Sequence, residues 1–225
     1  MPDFLTAEFW QEYGTLLGQA TIETLVMVAS STVIAYAVGI LLAVVLKLTE
    51  SGGLKPQPVL NAVLGWVVNM GRSLPFIILL IILIPFTRMI AGTIVGIRGA
   101  IVPLAVCAIP FVARMVESSF SEVRPGCIEA AQAFGASTMQ IVFRVFLPES
   151  LPSLIRGAAI TCITLVGYAA MAGAVGAGGL GDVAIRYGYY RYQGGVMFAS
   201  IVVLIIVVQL IQSLFDLVAR RIDKR

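Results

Sequence analysis

EAAQAFGASTMQIVFRVFLP, residues 129–148, lies within 114–156, the one long polar passage of an otherwise apolar chain. The polar run sets Glu129, Ala130 and Ala131 three residues ahead of Gly135, with Val145, Leu147 and Pro148 following after a nine-residue gap. Its local signals predict two short helices with a break. Pro125 suits a first helical position, Gly135 a left-handed C-terminal cap, and Ser137 with Gln140 three residues later a capping box. Pro148 is expected to stop the second helix. Ala130 and Ala131 carry almost no side chain, so another protein's surface can approach the backbone closely, and Phe134 supplies an apolar anchor. The competing reading of the same shape is an amphipathic helix lying on lipid.

Outside this passage the composition excludes an ordinary soluble domain. Hydrophobic residues make up 59% of the chain and charged residues 12%, and the mean hydropathy is +0.98; a soluble domain carries about 25% charge. An all-α integral membrane protein is expected. Histidine is absent, which removes the commonest general base and metal ligand. Cys107, Cys127 and Cys162 have no CxxC spacing and read as small core residues, with no metal site expected. The net charge of +3 is spread over loop ends, leaving no footprint for nucleic acid.

Uncharged windows at 24–46, 157–181 and 192–215 each exceed the roughly 20 residues that cross a bilayer as helix. A fourth, 56–87, is interrupted only by Arg72. At about 48 Å of helix against about 30 Å of hydrocarbon, it predicts one long tilted helix or an interfacial helix running into a span. The window 99–113 is shorter, but Arg98 can snorkel at one end and Arg114 can pair with Glu117 at the other. Five transmembrane helices follow, near 24–46, 60–87, 98–117, 152–175 and 194–215. They are flanked by an external N-terminal segment 1–20, the loop 118–151 and a tail 216–225.

Basic residues orient these spans. With the tail inside, the cytoplasmic side carries Lys47, Lys55, Arg114, Arg124, Arg144, Arg156, Arg220, Arg221, Lys224 and Arg225; the outside carries Arg88, Arg98, Arg186 and Arg191. The N-terminus is therefore expected outside and the loop inside. The first twenty residues lack Lys and Arg and so lack the basic region of a cleaved signal peptide.

The spacing of the 129–148 run resembles the cytoplasmic coupling loop of ABC importer permeases. RSLPFIILL from Arg72, IPFTR from Ile84, IPFVARMVE from Ile109 and TLVGYAAMAGAVGAGGLG from Thr164 extend the likeness, and together look like the permease of methionine ABC importers. The resemblance implies a type I importer fold over 21–215 in the bacterial inner membrane. It also implies a homodimer, two copies of a cytoplasmic ATPase and an external methionine-binding lipoprotein, with D- and L-methionine as cargo. Glu129, Ala130, Ala131, Phe134, Gly135, Leu147 and Pro148 then form the ATPase dock. Val145, where the loop pattern prefers Ile, and Ala170 and Ala172, where Ser or Gly is usual, depart from the pattern.

The motor is absent from this chain. A Walker A loop needs Gly-Lys-Ser/Thr, yet Lys47, Lys55 and Lys224 follow Leu46, Leu54 and Asp223. ATP and Mg belong to the partner, and no cofactor is expected here. A second glycine motif, Gly176-Ala-Gly178-Gly179-Leu-Gly181, satisfies GxGxxG but ends an apolar span instead of following a strand, so tight turns and close helix contacts explain it better than a dinucleotide. Tyr187, Tyr189, Tyr190 and Tyr192 beyond it suit an aromatic belt.

Candidate pathway residues lie on the fourth span. Thr161, Thr164, Tyr168 and Met171 share one helical face that mixes hydroxyl donors with a polarizable sulfur, and plain helix packing is the competing explanation. Arg72 would cost about 2.5 to 3.5 kcal/mol at mid-membrane and should lie near an interface or find a partner. A permease for an osmoprotectant or another small amino compound is the nearest rival. A secondary transporter or channel would favour acidic residues within spans or inverted repeats, and neither is seen; an intramembrane hydrolase would favour GxSxG. In a chain cleared of its own cysteines, Ala130→Cys is expected to react with an impermeant thiol reagent from the cytoplasmic side alone. Labelling from outside would invert the topology.

Overall fold

The computed structural model describes residues 6–222, and within them every regular element is helical. Helix α1, Ala7–Thr49, runs for 43 residues, or about 65 Å. It starts where the Thr6 hydroxyl accepts the Phe9 N–H at 3.3 Å. The expected boundary between an N-terminal segment and a first span near residue 24 is therefore not a break in structure. Charge at Glu23 ends a hydropathy window but does not end a helix. Phe9, Leu17 and Ala20 instead pack on Leu180, Val183, Val196 and Ala199 to form a second core. Residues 1–5 of the predicted segment and 223–225 of the predicted tail lie outside the described residues.

The window at 60–87 is not one helix. Helix α2, Pro58–Ser73, and helix α3, Phe76–Ile82, meet at 104°, and α4, Ile84–Ala91, follows. Pro75 has no N–H to continue the ladder, and its ring pushes Leu74 into an extended conformation, φ −77° and ψ 126°. The Pro75 carbonyl then starts the next turn, accepting from Ile78 at 3.1 Å and Leu79 at 3.0 Å. Among the described residues four helical stretches are long and apolar enough to cross a bilayer alone, and the bent α2/α3 pair makes a fifth when taken as one span.

Helix α5, Gly96–Ser121, and helix α8, Leu147–Gly173, form the centre with α1. Helices α1 and α5 run parallel: Ser31 donates to the Ile101 carbonyl at 3.3 Å, and Gly39 lies opposite Val112 farther along both. A Cβ at Gly39 would come within 2.7 Å of Val112 Cγ1, so the missing side chain is what allows the approach. Met27, Ala35, Ala43, Leu104, Val112 and Val116 fill this seam. In lipid, such close apposition of small residues supplies dispersion contacts that the solvent does not drive. Arg114 and Glu117 pair at 2.7 Å, as their spacing predicts, and Arg114 also donates to the Gly65 carbonyl of α2 at 3.0 Å.

Helix α6, Pro125–Ala133, and helix α7, Thr138–Ile141, lie at one end of the bundle with the C-termini of α1 and α5. At the opposite end are α9, Gly179–Val183, and the start of α10, Gly194–Ile222. Gly173 and Gly181 let α8 and α9 touch backbone to backbone, because a Cβ on either would run into the main chain of the other. Gly18 has open space around it. Gly181→Leu should therefore abolish recovery of folded protein after detergent extraction, while Gly18→Ala should raise stability by about 0.5–1 kcal/mol. Equal melting behaviour of the two variants would contradict this packing.

Candidate functional site

Helix α6 stands on the bundle end as a rigid, exposed element. Its first helical residue is Pro125, and its end is closed by a double cap: Gly135, at φ 76°, donates to the Gln132 carbonyl at 2.9 Å, and Ala136 donates to the Ala131 carbonyl at 3.0 Å. The capping box is present as well. Gln140 N–H donates to Ser137 Oγ at 3.3 Å and Ser137 N–H to Gln140 Oε1 at 2.8 Å.

Pro148 does not stop the following helix. Residues Val142–Phe146 widen into a π turn, in which the Leu147 N–H reaches back to the Val142 carbonyl, and α8 continues directly. The wider turn relieves the clash that a proline makes with the carbonyl four residues before it. The helical path from α7 through the π turn into α8 is consequently unbroken.

Among the residues expected to dock a partner, Glu129, Ala130, Phe134, Gly135 and Pro148 are exposed, and Phe134 is 92% exposed. Met139 and Phe143 extend this apolar edge. Ala131 and Leu147 instead pack partly against the core, with Ile128 and Ala136. Beneath them the Phe120 and Phe146 rings meet at 5.4 Å. A serine seam joins the ends of α5 and α8: Ser119 Oγ and Ser153 Oγ lie 2.9 Å apart, Ser150 donates to the Ser119 carbonyl at 3.0 Å, and Ser153 donates to Glu122 at 3.3 Å. Lys47 ties α1 to the same place by donating to Ser121 Oγ at 3.1 Å while pairing with Glu50 at 2.6 Å.

A cavity of about 140 Å³ opens between the α2/α3 break, α5 and α8. Arg72, Thr161, Thr164 and Tyr168 all line it, so four of the five predicted pathway residues converge; Met171 is half exposed and lies outside the lining. The two threonines differ from expectation in polarity. Thr161 donates to the Gly157 carbonyl at 2.9 Å and Thr164 to the Ile160 carbonyl at 2.8 Å, so both hydroxyl hydrogens are held by the helix. Tyr168 stacks on Phe76 with centroids 4.8 Å apart and planes 5° apart. Leu74, Phe111 and Leu165 supply apolar wall. Cys107 lines the cavity as a buried free thiol, and Cys162 is buried beside Thr32.

At the far end the glycine motif forms a latch. Gly176, Gly178 and Gly179 adopt φ of 88°, 86° and 75°, a region other residues rarely enter. The chain turns there onto α1, where Gly179 N–H donates to Glu23 Oε2 at 2.8 Å and Leu180 N–H to Thr24 Oγ1 at 3.0 Å. Gly96 N–H donates to the Gly176 carbonyl at 2.8 Å, adding the start of α5. Backbone and helix flank these glycines, as close packing requires. Tyr187 packs against Tyr13, with ring centroids 6.5 Å apart, and the Arg191 guanidinium lies 4.4 Å over its ring. Tyr189, Tyr190 and Tyr192 are exposed. Among the described residues no cluster of Cys, Asp and Glu could hold a metal.

A helical bundle with four or five stretches apolar enough to span a membrane, and with no nucleotide-binding motif, has the form of a transporter's membrane subunit. The chain belongs to the family of binding-protein-dependent transport system inner membrane components, which matches residues 35–225. It is 50% identical over 219 residues to a probable D-methionine transport system permease protein, MetI, of Vibrio cholerae, covering 97% of each chain. It is 44% identical over 211 residues to the methionine import system permease protein MetP of Bacillus subtilis, covering 94% of this chain and 95% of that one. Its backbone matches a chain of the inward-facing MetNI methionine ABC transporter with a TM-score of 0.93 and 47% identity, over 95% of this chain and 99% of that one.

Glu23 and Thr24 escaped the sequence reading because a hydropathy window begins just after the charge. The available signal was an acidic residue bordering a long uncharged window in a chain with few acids. Glu23→Ala should speed amide hydrogen exchange across 176–181 by about tenfold, the loss expected for a charge-assisted hydrogen bond. Glu23→Gln, which keeps an accepting oxygen but loses the charge, should fall between the two. Unchanged exchange in Glu23→Ala would discard the latch.

Proposed function

We propose that this chain is the membrane-spanning subunit of an ATP-driven methionine importer. It works as a homodimer with two copies of a cytoplasmic ATPase and receives cargo from an external binding lipoprotein. The observation that carries the reading is the 47% identity and TM-score of 0.93 to a methionine ABC transporter chain over 95% of this sequence. The ATPase hydrolyses ATP with Mg, and this chain, without a Walker A lysine, hydrolyses nothing. In this reading the N-terminus is outside the inner membrane, and the 122–137 end and the tail are cytoplasmic, which agrees with the excess of Lys and Arg there.

Docking uses Glu129, Ala130, Phe134, Gly135 and Pro148 at the surface and Ala131 and Leu147 behind it. Phe134 enters the partner's groove as an apolar anchor, and Ala130 lets the two backbones approach. Force on α6 passes through the Schellman and capping-box bonds into α7, the π turn and α8, and through the serine seam into α5. Those are the helices that wall the cavity containing Arg72, Thr161, Thr164 and Tyr168. A push at the dock therefore reaches the pathway without a flexible link, which is what coupling hydrolysis to transport requires. Cargo of either hand, D- or L-methionine, is chosen chiefly by the binding protein and then passes these residues. Met171 borders the pathway.

Because Ala130 and Phe134 are exposed, substitutions there leave the fold intact. Ala130→Arg and Phe134→Asp are each expected to insert and purify normally yet fail to retain the ATPase in a pull-down and to lose ATP-driven methionine uptake by at least about tenfold. Retention and uptake at parental levels by both variants would contradict the proposed dock.

A further inference from the structure

Resting on the methionine-importer reading, we propose that the cavity at the α2/α3 break is a transit site that binds the α-carboxylate of the amino acid, and that Arg72 is the group that holds it. The cavity, about 140 Å³, lies at the break between two helices and is open at one side. Its lining includes one cation, Arg72, and no carboxylate. No acidic partner pairs with Arg72 in the described residues, so its donors remain available for a ligand, in contrast with Arg114 and Arg186, which pair with Glu117 and Asp182.

A carboxylate leaving water for an apolar passage loses its hydration, and a planar guanidinium with paired donors is the side chain best matched to replace it. The rest of the cavity fits the remainder of a zwitterion. Thr164, whose hydrogen is held by its own helix, lines the cavity with an oxygen that can still accept from an ammonium. Leu74, Phe111 and Leu165 offer apolar surface for a thioether side chain. The position of Arg72 follows from the break at Pro75: the helix stops at Ser73, so the guanidinium stands at its last turn beside the opening. The stacked Phe76 and Tyr168 rings bridge the break to α8 and fix the opposite wall. A weak, single-cation site also suits a transporter, since a cargo held from every side would not leave.

The alternative role for Arg72 is purely structural, stabilising the negative C-terminal end of α2. The experiment separates the two roles. The complete transporter, permease with its ATPase and binding protein, is reconstituted in vesicles carrying the parent chain, Arg72→Gln or Arg72→Lys. Uptake of labelled methionine and binding-protein-stimulated ATP hydrolysis are measured on the same vesicles. The proposal expects Arg72→Gln to lower uptake about tenfold or more, the loss of a hydrogen bond to a charged group. Stimulated hydrolysis should stay at the parental rate, so that methionine carried per ATP falls, and Arg72→Lys, which keeps the charge but not the paired donors, should restore part of it. Uptake by Arg72→Gln within twofold of the parent would overturn the site. Uptake and hydrolysis falling together in both variants would also overturn it, leaving Arg72 a structural residue. Failure of the parent chain to take up methionine would instead overturn the importer reading on which the proposal rests.

Discussion

Inside a bilayer no water is available to a backbone N–H or carbonyl, and the fold of this chain is organised around meeting that demand internally. Regular helix meets it over most of the length. Three departures from regularity show how replacement partners are found. At Pro75 the freed positions restart on the Pro75 carbonyl itself. Around Pro148 the ladder widens to a π turn and continues. At the glycine turn, where three residues take left-handed conformations, the N–H groups of Gly179 and Leu180 are accepted by Glu23 and Thr24 from another helix. A break that must be capped is a break whose geometry is fixed.

These three irregular regions place different features of the bundle. The break at Pro75 makes room for a polar cavity beside Arg72. The π turn lets the exposed α6 and α7 elements join α8 without a hinge, and the serine contacts join the same end to α5. The Glu23 latch holds the opposite end of α8 to α1, so that a motion introduced at one end meets a defined constraint at the other. Side-chain hydrogen bonds of this kind add modest stability individually, about 1 kcal/mol each. Their larger effect is to fix which helices move together.

Signals written within a few residues were legible in the sequence. Pro125, Gly135 and the Ser137/Gln140 pair foretold the caps of the loop, and Arg114 foretold its pairing with Glu117, because these are contacts at i to i+4 that depend on spacing alone. The convergence of Arg72 with Thr161, Thr164 and Tyr168 was only partly legible. Helical periodicity put the two threonines and Tyr168 on one face but also included Met171, and could not show that the threonine hydrogens turn back to their own helix. Averaged hydropathy obscured the 104° bend at Pro75 by treating 56–87 as one window, and it cut α1 short at Glu23. The latch was illegible for a different reason: its partners lie 156 residues apart, and nothing local to either marks the other.

The coupled-transport account is tested most directly by methionine accumulation in vesicles. The chain is reconstituted with or without its ATPase, with the binding protein present outside and ATP supplied on the loop side. Accumulation is predicted only when chain, ATPase, binding protein and ATP are all present, with none under an ion gradient alone. Accumulation by the chain in the absence of the ATPase would contradict it.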